Sequence, residues 1–172
     1  MDPTERPGYL CPELLAFYGD DEGTNSSGYT LEQVLGWPDE DWELQHDFVQ
    51  WVFATDEPSM YNPDAPVLDA ATIARFRADT LLRHRLRRSF DRWLAFCGVV
   101  RTDDGLAFDN PNPRVWDRQN HNWLRITRVL RSLNLLGLSD EAQAFFALLT
   151  TVRARIDPAT WRYWERAARS EA

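Results

Sequence analysis

A chain of 172 residues with an apolar fraction of 44 % is long enough to form one domain with a buried core. Eight Trp, nine Phe and five Tyr supply large rings that bury much area each. No run approaches the roughly 20 apolar residues of a membrane-spanning helix. The N-terminus shows no basic segment followed by an apolar one. These features exclude a membrane-spanning class and predict a soluble, cytoplasmic protein without a signal peptide.

Charge is distributed unevenly along the chain. Residues 1–70 contain 16 acidic residues and one basic residue, a net charge of −15, whereas residues 71–172 contain 11 acidic and 18 basic residues, a net charge of +7. Because the acidic residues are interspersed with aromatic ones, we expect two complementary halves that pair with each other. The overall charge of −8 argues against general nucleic-acid binding, which depends on neutralising phosphates.

Residues 1–28 are predicted to be a partly irregular leader, because proline and a Gly/Asp/Ser-rich run interrupt any periodicity. Within it, the apolar residues 14–18 favour a short helix. Thr30 followed three residues later by Gln33 predicts a capping box, and Gly36 ends that short helix.

The next helix is expected to begin at Asp39, followed by further acidic residues that suit the first turn of a helix. Trp42, His46, Val49 and Phe53 recur at helical spacing and predict one continuous helix with one buried stripe. Prolines then indicate a loop over residues 55–68.

Asp69 is expected to cap a helical stretch that ends near Cys97, as one helix or as two with a kink near residue 80. Its apolar stripe faces a set of arginines: Arg75, Arg77, Arg83, Arg85, Arg87, Arg88 and Arg92. A hairpin follows over residues 99–108, because Asp104-Gly105 favours a tight turn.

Three further segments complete the chain. Asn112-Pro113 predicts a helix start, and helices are expected from Asn120 to Gly137, after Ser139, and after Asp157-Pro158. No buried strands alternate with the helices. The predicted fold class is therefore all-α: an irregular, multi-helix single domain with one short β-hairpin.

Three segments carry the most distinctive residue patterns. They are residues 28–37 (GYTLEQVLGW), residues 42–53 (WELQHDFVQWVF) and residues 120–133 (NHNWLRITRVLRSL). Together, and in this order, they resemble the conserved region of the opioid growth factor receptor family. The resemblance runs from residue 14 to about residue 150, and it assigns residues 29–172 to a helical domain of that type.

The resemblance implies a function in binding. Members of this family in animals are described as receptors for a short enkephalin peptide, associated with the nucleus and perinuclear membranes, and they are not seven-helix membrane receptors. By this family analogy alone, the expected partner is an enkephalin-like peptide or a protein. The sequence is thus interpreted as a non-enzymatic binding domain.

A candidate ligand site follows from the second and third segments. His46, Gln50 and Trp51 of one, with Asn122 and Arg125 of the other, are expected to form a polar pocket for a peptide backbone or carboxylate. We also expect His46, Trp51 and Trp123 to be largely buried, in or beside one shared helix interface. The alternative interpretation is that these polar groups fix helix contacts and loop ends, as most buried polar groups do.

Catalytic signatures are missing from the sequence. The three histidines show no metal-ligand spacing, and no nucleophile elbow, P-loop or dinucleotide-binding glycine pattern occurs. We therefore predict no catalytic residues, no metal site and no cofactor, and two unpaired thiols at Cys11 and Cys97. The alternative function is a nucleic-acid-associated protein that uses the arginine-rich helix face.

Overall fold

The protein is described here by a computed structural model, which describes residues 11–169. Within that range it contains ten α-helices, a 3-10 turn and one two-stranded antiparallel sheet. The predicted all-α class with one short hairpin is confirmed. None of the helices in residues 11–169 is both long and apolar enough to cross a bilayer.

The helices in chain order are α1 (Pro12–Gly19), α2 (Leu31–Leu35), α3 (Asp39–Leu44), α4 (Val49–Val52), α5 (Ala70–Ala78), α6 (Thr80–Cys97), α7 (Pro113–Trp116), α8 (His121–Leu135), α9 (Ser139–Thr150) and α10 (Pro158–Ala168). The strands are β1 (Val99–Thr102) and β2 (Gly105–Phe108), and the 3-10 turn is Arg153–Arg155. The chain divides into two compact units between Ser89 and Phe90, so α6 contributes residues to both.

Edge-to-face aromatic contacts hold the first unit together. Trp37 and Trp42 both pack against the ring of Phe48, with centroids 5.4 and 4.9 Å apart. In α1, Tyr18 is fully buried against Phe76, and its hydroxyl donates to the carbonyl of Val52 at the end of α4. Burial raises the pKa of Tyr18, so its hydroxyl stays protonated and remains a hydrogen-bond donor.

The expectation of one continuous helix from Asp39 to Phe53 is wrong. The chain leaves the helical conformation at Gln45, where ψ is 136°, and becomes helical again at Val49. In an unbroken helix, Trp42 and Phe48 would point about 120° apart, yet both rings are fully buried and touch each other. The break lets both rings enter one core, and it places His46 in the linker.

Asp79 divides the helical stretch that follows residue 69 into two helices. This is the second of the two predicted alternatives, a division near residue 80. Its backbone is extended, and its side chain accepts the N–H groups of Leu81 and Leu82 at 3.0 and 3.2 Å. This carboxylate therefore caps α6. The predicted caps Thr30 of α2 and Asp69 of α5 are confirmed, and the first is a full capping box.

The second unit begins with the end of α6 and the hairpin, in which Val99 pairs with Phe108. Gly98 joins the helix to β1 at φ +75°, and a Cβ there would lie 2.3 Å from the carbonyl oxygen of Asn110. Only glycine fits this junction. Arg101 on β1 then binds the carboxylates of Asp91 and Glu141 at 2.7 and 2.9 Å, which ties β1 to α6 and α9.

Helices α8, α9 and α10 pack against one another in the second unit, mainly through apolar and aromatic side chains. Trp123 of α8 and Trp164 of α10 make an edge contact with centroids 5.8 Å apart. The side chain of Asn134 donates to the carbonyl of Ala167 at 2.8 Å, which satisfies a group at the end of α10.

Candidate functional site

The five predicted site residues divide between the two units. His46, Gln50 and Trp51 belong to the first unit, and Asn122 and Arg125 belong to the second. Gln50 and Trp51 lie on α4 and are buried, as expected for Trp51. His46 is exposed in the linker between α3 and α4, so its predicted burial is wrong.

Asn122 and Arg125 are buried in the first two turns of α8 and contact each other. The guanidinium of Arg125 donates to the side-chain oxygen of Asn122 at 3.3 Å, and the Asn122 amide lies 3.4 Å from the carbonyl of Arg114. Asn120 caps this helix through the N–H of Asn122 at 2.8 Å. Trp123, predicted to be buried, is 5 % exposed. These contacts fix the segment that leads into α8.

A cavity of about 300 Å³ lies beside Trp51 in the first unit. Its walls come from the start of α1, the turn before α2, helix α4 and the loop that follows α4. The lining residues are Cys11, Glu13, Thr24, Asn25, Ser26, Trp51, Asp64 and Pro66. The cavity, defined by these residues, is called the Trp51 cavity below. Its volume is at the lower end of the range for small-ligand sites.

The indole N–H of Trp51 is the most informative group in this cavity wall. Elsewhere in the protein, the indole nitrogens of Trp42, Trp116, Trp123 and Trp164 donate to backbone carbonyls at 2.8–3.0 Å. That of Trp51 is buried and has no hydrogen-bond partner among residues 11–169. A buried donor without an acceptor costs about 1–3 kcal/mol. Trp51, which lines the cavity, therefore carries an indole N–H donor that has no acceptor.

Two turns that were not predicted from the sequence contribute to the walls of this cavity. In the first, the side-chain oxygen of Asn25 accepts the N–H groups of Ser27 and Tyr29 at 3.1 and 3.0 Å. An Asn followed by Ser-Ser-Gly is typical of such side-chain-stabilised turns, so the signal was present in the sequence.

The second turn lies in the loop after α4. The hydroxyl of Ser59 accepts the N–H of Asn62, and the amide of Asn62 donates to the carbonyl of Asp47 at 2.9 Å. This bond ties the loop to the break between α3 and α4. It holds in place the segment that carries the wall residues Asp64 and Pro66.

The Trp51 cavity is electrostatically acidic. Glu13 and Asp64 contribute carboxylates, and none of the described lining residues is basic. Burial raises the pKa of the Cys11 thiol, and the neighbouring Glu13 carboxylate adds to that effect, so the thiol remains neutral at pH 7. The wall thus offers negative charge and an aromatic surface, and Trp51 also carries a buried N–H donor without a partner among residues 11–169. This set suits a cationic group next to a carbonyl.

The arginine-rich face predicted as an alternative site is engaged within the protein. Arg85 binds the carboxylate of Asp21 at 2.9 Å and the carbonyl of Tyr18 at 3.0 Å. Arg88 forms a two-pronged ion pair with Glu32. This hydrogen bonding lowers the pKa of Glu32. These contacts agree with the expected pairing of acidic residues with the arginines, here inside the first unit.

The described residues contain no group of three or more His, Cys, Asp or Glu side chains placed to hold a metal ion. Neither Cys11, which is partly exposed, nor Cys97, which is buried, forms a disulfide within the described residues. Unpaired thiols were predicted at both positions.

The model of the opioid growth factor receptor conserved region matches residues 13–157. The opioid growth factor receptor of Mus musculus is 32 % identical over 140 residues, which cover 76 % of this chain and 22 % of the relative. The receptor of Homo sapiens is 32 % identical over 156 residues, which cover 83 % and 23 %.

Opioid growth factor receptor-like protein 1 of Xenopus tropicalis is 30 % identical over 139 residues, which cover 76 % of this chain and 27 % of that protein. The matched region thus spans only about a quarter of the length of these relatives. These relatives are named as receptors or receptor-like proteins and not as enzymes. No solved structure matches the chain.

Proposed function

Because the chain belongs to the family of the opioid growth factor receptor conserved region, we propose that it is a non-enzymatic domain that binds a peptide or protein segment in the Trp51 cavity. The observation that carries this proposal is the unpartnered indole N–H of Trp51, in a residue that lines a cavity of about 300 Å³. A peptide carbonyl is the acceptor best suited to that donor.

The acidic wall narrows the chemistry of the ligand. Glu13 and Asp64 favour a positively charged group, and the ring of Trp51 adds a surface on which a cation can rest. The free amino end of a peptide combines an ammonium group with the carbonyl of the same residue. We infer that the cavity takes the amino-terminal end of its ligand, with room for about one or two residues.

The other predicted residues enter the proposal in different ways. Gln50, next to Trp51 on α4, has a buried side-chain oxygen without a hydrogen-bond partner among residues 11–169, so it is a second candidate contact. His46 is exposed in the linker, so it is accessible to a partner at the surface. Asn122 and Arg125 hold the start of α8. Whether they also contribute to ligand binding is tested by variants that remove their side chains.

Binding without turnover fits the groups that the chain offers. The Trp51 cavity combines a neutral thiol with carboxylates that sit at a helix start and on a loop, and it has no histidine among its described lining residues to act as a base. The names of the relatives as receptors support the same interpretation. A cytoplasmic location, or a nuclear one by family analogy, is part of this proposal.

The alternative, a nucleic-acid-associated protein, receives less support. Phosphate binding requires arginines that are free to neutralise it, yet Arg85 and Arg88 are already paired with Asp21 and Glu32. Fluorescence anisotropy with labelled single- and double-stranded oligonucleotides tests this alternative. We expect to detect no binding of the salt-sensitive kind that phosphate contacts produce.

Calorimetry with a short enkephalin-like peptide tests the proposal. We expect a dissociation constant in the micromolar to millimolar range, as for other short flexible ligands. Trp51→Phe retains the ring but removes the donor, so binding should weaken about fivefold to tenfold with the helical circular dichroism retained. His46→Ala, Gln50→Ala and Arg125→Ala then show which other predicted residues contribute.

A matched pair of variants tests the acidic wall. Glu13 and Glu40 both lie in the first turn of a helix, but only Glu13 lines the cavity. Glu13→Gln should weaken binding several-fold, whereas Glu40→Gln should leave it unchanged. Acetylation of the amino end of the peptide should have the same effect as Glu13→Gln. No heat of binding at millimolar peptide would contradict the receptor interpretation and leave a role in protein interaction to be tested.

A further inference from the structure

A second cavity, in the second unit, combines features that the proposed function does not use. It has a volume of about 360 Å³ and lies between the 3-10 turn and α10. Its lining residues are Arg153, Ile156, Pro158, Trp161, Arg162 and Glu165. This set is called the Trp161 cavity.

Trp161 repeats the anomaly seen at Trp51. Its side chain is 5 % exposed, and its indole N–H is buried without a hydrogen-bond partner among residues 11–169. Its neighbour Trp164 lies with its ring centroid 6.1 Å away and donates to the carbonyl of Trp123 at 2.9 Å. Local packing therefore satisfies one indole of α10 and leaves the other, which lines the cavity, with an unused donor.

Two guanidinium groups accompany this donor. The guanidinium of Arg153 lies over the ring of Trp161, 5.1 Å from its centroid, in a cation–π contact. Arg162 is exposed one residue beyond Trp161 on α10. Neither makes an ion pair in the part of the chain that the structure describes. Elsewhere, arginines such as Arg85, Arg88 and Arg101 are paired with carboxylates.

The backbone around the cavity is held firmly. Arg155, the last residue of the 3-10 turn, donates to the carbonyl of Trp116 at 3.0 Å. Asp157 caps α10 through the N–H of Thr160 at 3.0 Å. Hydrogen bonds from the side chain and from the backbone of Thr160 lower the pKa of the Asp157 carboxyl. Phe146 of α9 packs against Trp161 with centroids 5.3 Å apart. A site of this kind is preorganised, so little ordering is needed when a ligand binds.

The donors and walls define the ligand. Two guanidinium groups and an indole N–H all donate hydrogen bonds, so the ligand group must be an acceptor and an anion. The lining carries two positive charges and the single negative charge of Glu165, a net charge of +1 that matches a monoanion better than a dianionic phosphate. Ile156, Pro158 and the Trp161 ring add an apolar wall for a side chain of similar character.

We propose that the Trp161 cavity binds a carboxylate carried next to an apolar side chain, as at the carboxyl-terminal end of a peptide or protein chain. The carboxylate accepts hydrogen bonds from the Trp161 indole and from Arg162, while Arg153 covers the ring. This site is separate in sequence and in unit from the Trp51 cavity, and it does not depend on the function proposed there.

The test follows the indole signals of the whole chain in ¹H–¹⁵N spectra, with Trp161→Phe used to assign the Trp161 signal. N-acetyl-leucine is titrated as the carboxylate probe, and N-acetyl-leucinamide as its neutral counterpart of the same shape. We expect N-acetyl-leucine to move the Trp161 signal downfield, with a dissociation constant of about 1–10 mM for a ligand of this size. The amide should bind at least tenfold more weakly.

Matched arginine variants decide whether the charge is used in the cavity. Arg162→Gln should weaken N-acetyl-leucine binding about fivefold or more, because it removes a charge-assisted donor. Arg118→Gln, which removes an exposed arginine of the same unit outside the cavity, should have no effect. Equal effects of the two variants would overturn the proposal, since they would report net charge alone.

Three further outcomes also count against it. Equal binding of the acid and the amide would show an apolar pocket without an anion site. Tighter binding of inorganic phosphate at the same indole would show a phosphate site and would contradict the carboxylate assignment. A Trp51 signal that moves while the Trp161 signal stays fixed would support the first cavity alone, so the two proposals fail separately.

Discussion

Asn62 is predicted to hold the wall of the Trp51 cavity from a distance. It is 8 % exposed, and its amide donates to the carbonyl of Asp47 at 2.9 Å, across the break between α3 and α4. Asn62→Ala removes this bond, at a net cost of about 1 kcal/mol. Loss of the packing of a buried amide adds about 0.5–1 kcal/mol. The variant should therefore be destabilised by about 1–2 kcal/mol.

Urea unfolding followed by tryptophan fluorescence measures this change, and thermal unfolding should show a midpoint lower by about 2–8 °C. Met60→Ala is the control, because Met60 belongs to the same loop but is 97 % exposed. That variant should lie within about 0.5 kcal/mol of the parent. If Asn62→Ala were as stable as Met60→Ala, the loop would not depend on this bond, and the account of the cavity wall would be wrong.

Two other stability predictions follow from the structure. Arg88→Gln breaks an ion pair with Glu32 whose side chains are 43 % and 56 % exposed, so it should cost less than about 1 kcal/mol at pH 7. The pKa of Glu32 is lowered in the folded state, so the ion pair stabilises the protein at pH values above the ordinary carboxyl pKa. In urea unfolding, the stability difference between the parent and Arg88→Gln should vanish as the pH falls through the lowered pKa of Glu32. Gly98→Ala combines a left-handed backbone with contact to Asn110 and should cost more than about 3 kcal/mol in the same assay, whereas Gly28→Ala, at φ +86° with open space around it, should cost about 1–2 kcal/mol. Equal costs for the two glycines would refute the steric argument.

Local signals in the sequence predicted the starts of several helices, although Asp39 and Ser139, which were also expected to cap helices, are the first helical residues of α3 and α9 and not their N-caps. Thr30, Asp69 and Asp157 each accept an N–H group from the first turn of their helix, and these contacts span only three residues. The hairpin turn at Gly105 is equally local. Such features depend on neighbours in sequence, so a single chain is sufficient to predict them.

The break after α3 depends on contacts between residues that are distant in sequence. The helical spacing of Trp42, His46 and Val49 therefore predicted a continuous helix that does not form. What decides the local structure is the shared burial of Trp42 and Phe48, together with the bond from Asn62 to the carbonyl of Asp47. Tertiary packing overrides a helical pattern in such cases. His46 leaves the buried stripe for this reason.

The candidate sites were predictable only in part. Trp51 was selected from its motif, and it does line a cavity. The other walls come from α1, the Asn25 turn and the loop that carries Asp64. These three segments share no sequence pattern that would predict that they lie close together. The Trp161 cavity was missed because Trp161 looks like any apolar residue of a helix stripe. Its place in a cavity wall, together with the missing acceptor for its indole N–H, appears only in the structure.

The indole N–H signal of Trp51 tests the central claim most directly. In a ¹H–¹⁵N spectrum, addition of an enkephalin-like peptide with a free amino end should move this signal downfield as the donor gains a carbonyl acceptor. The signal of Trp42, which already donates to Val34 at 3.0 Å, should stay in place. An unchanged Trp51 signal at saturating peptide, with binding detected by calorimetry, would contradict the account by placing the ligand elsewhere on the protein.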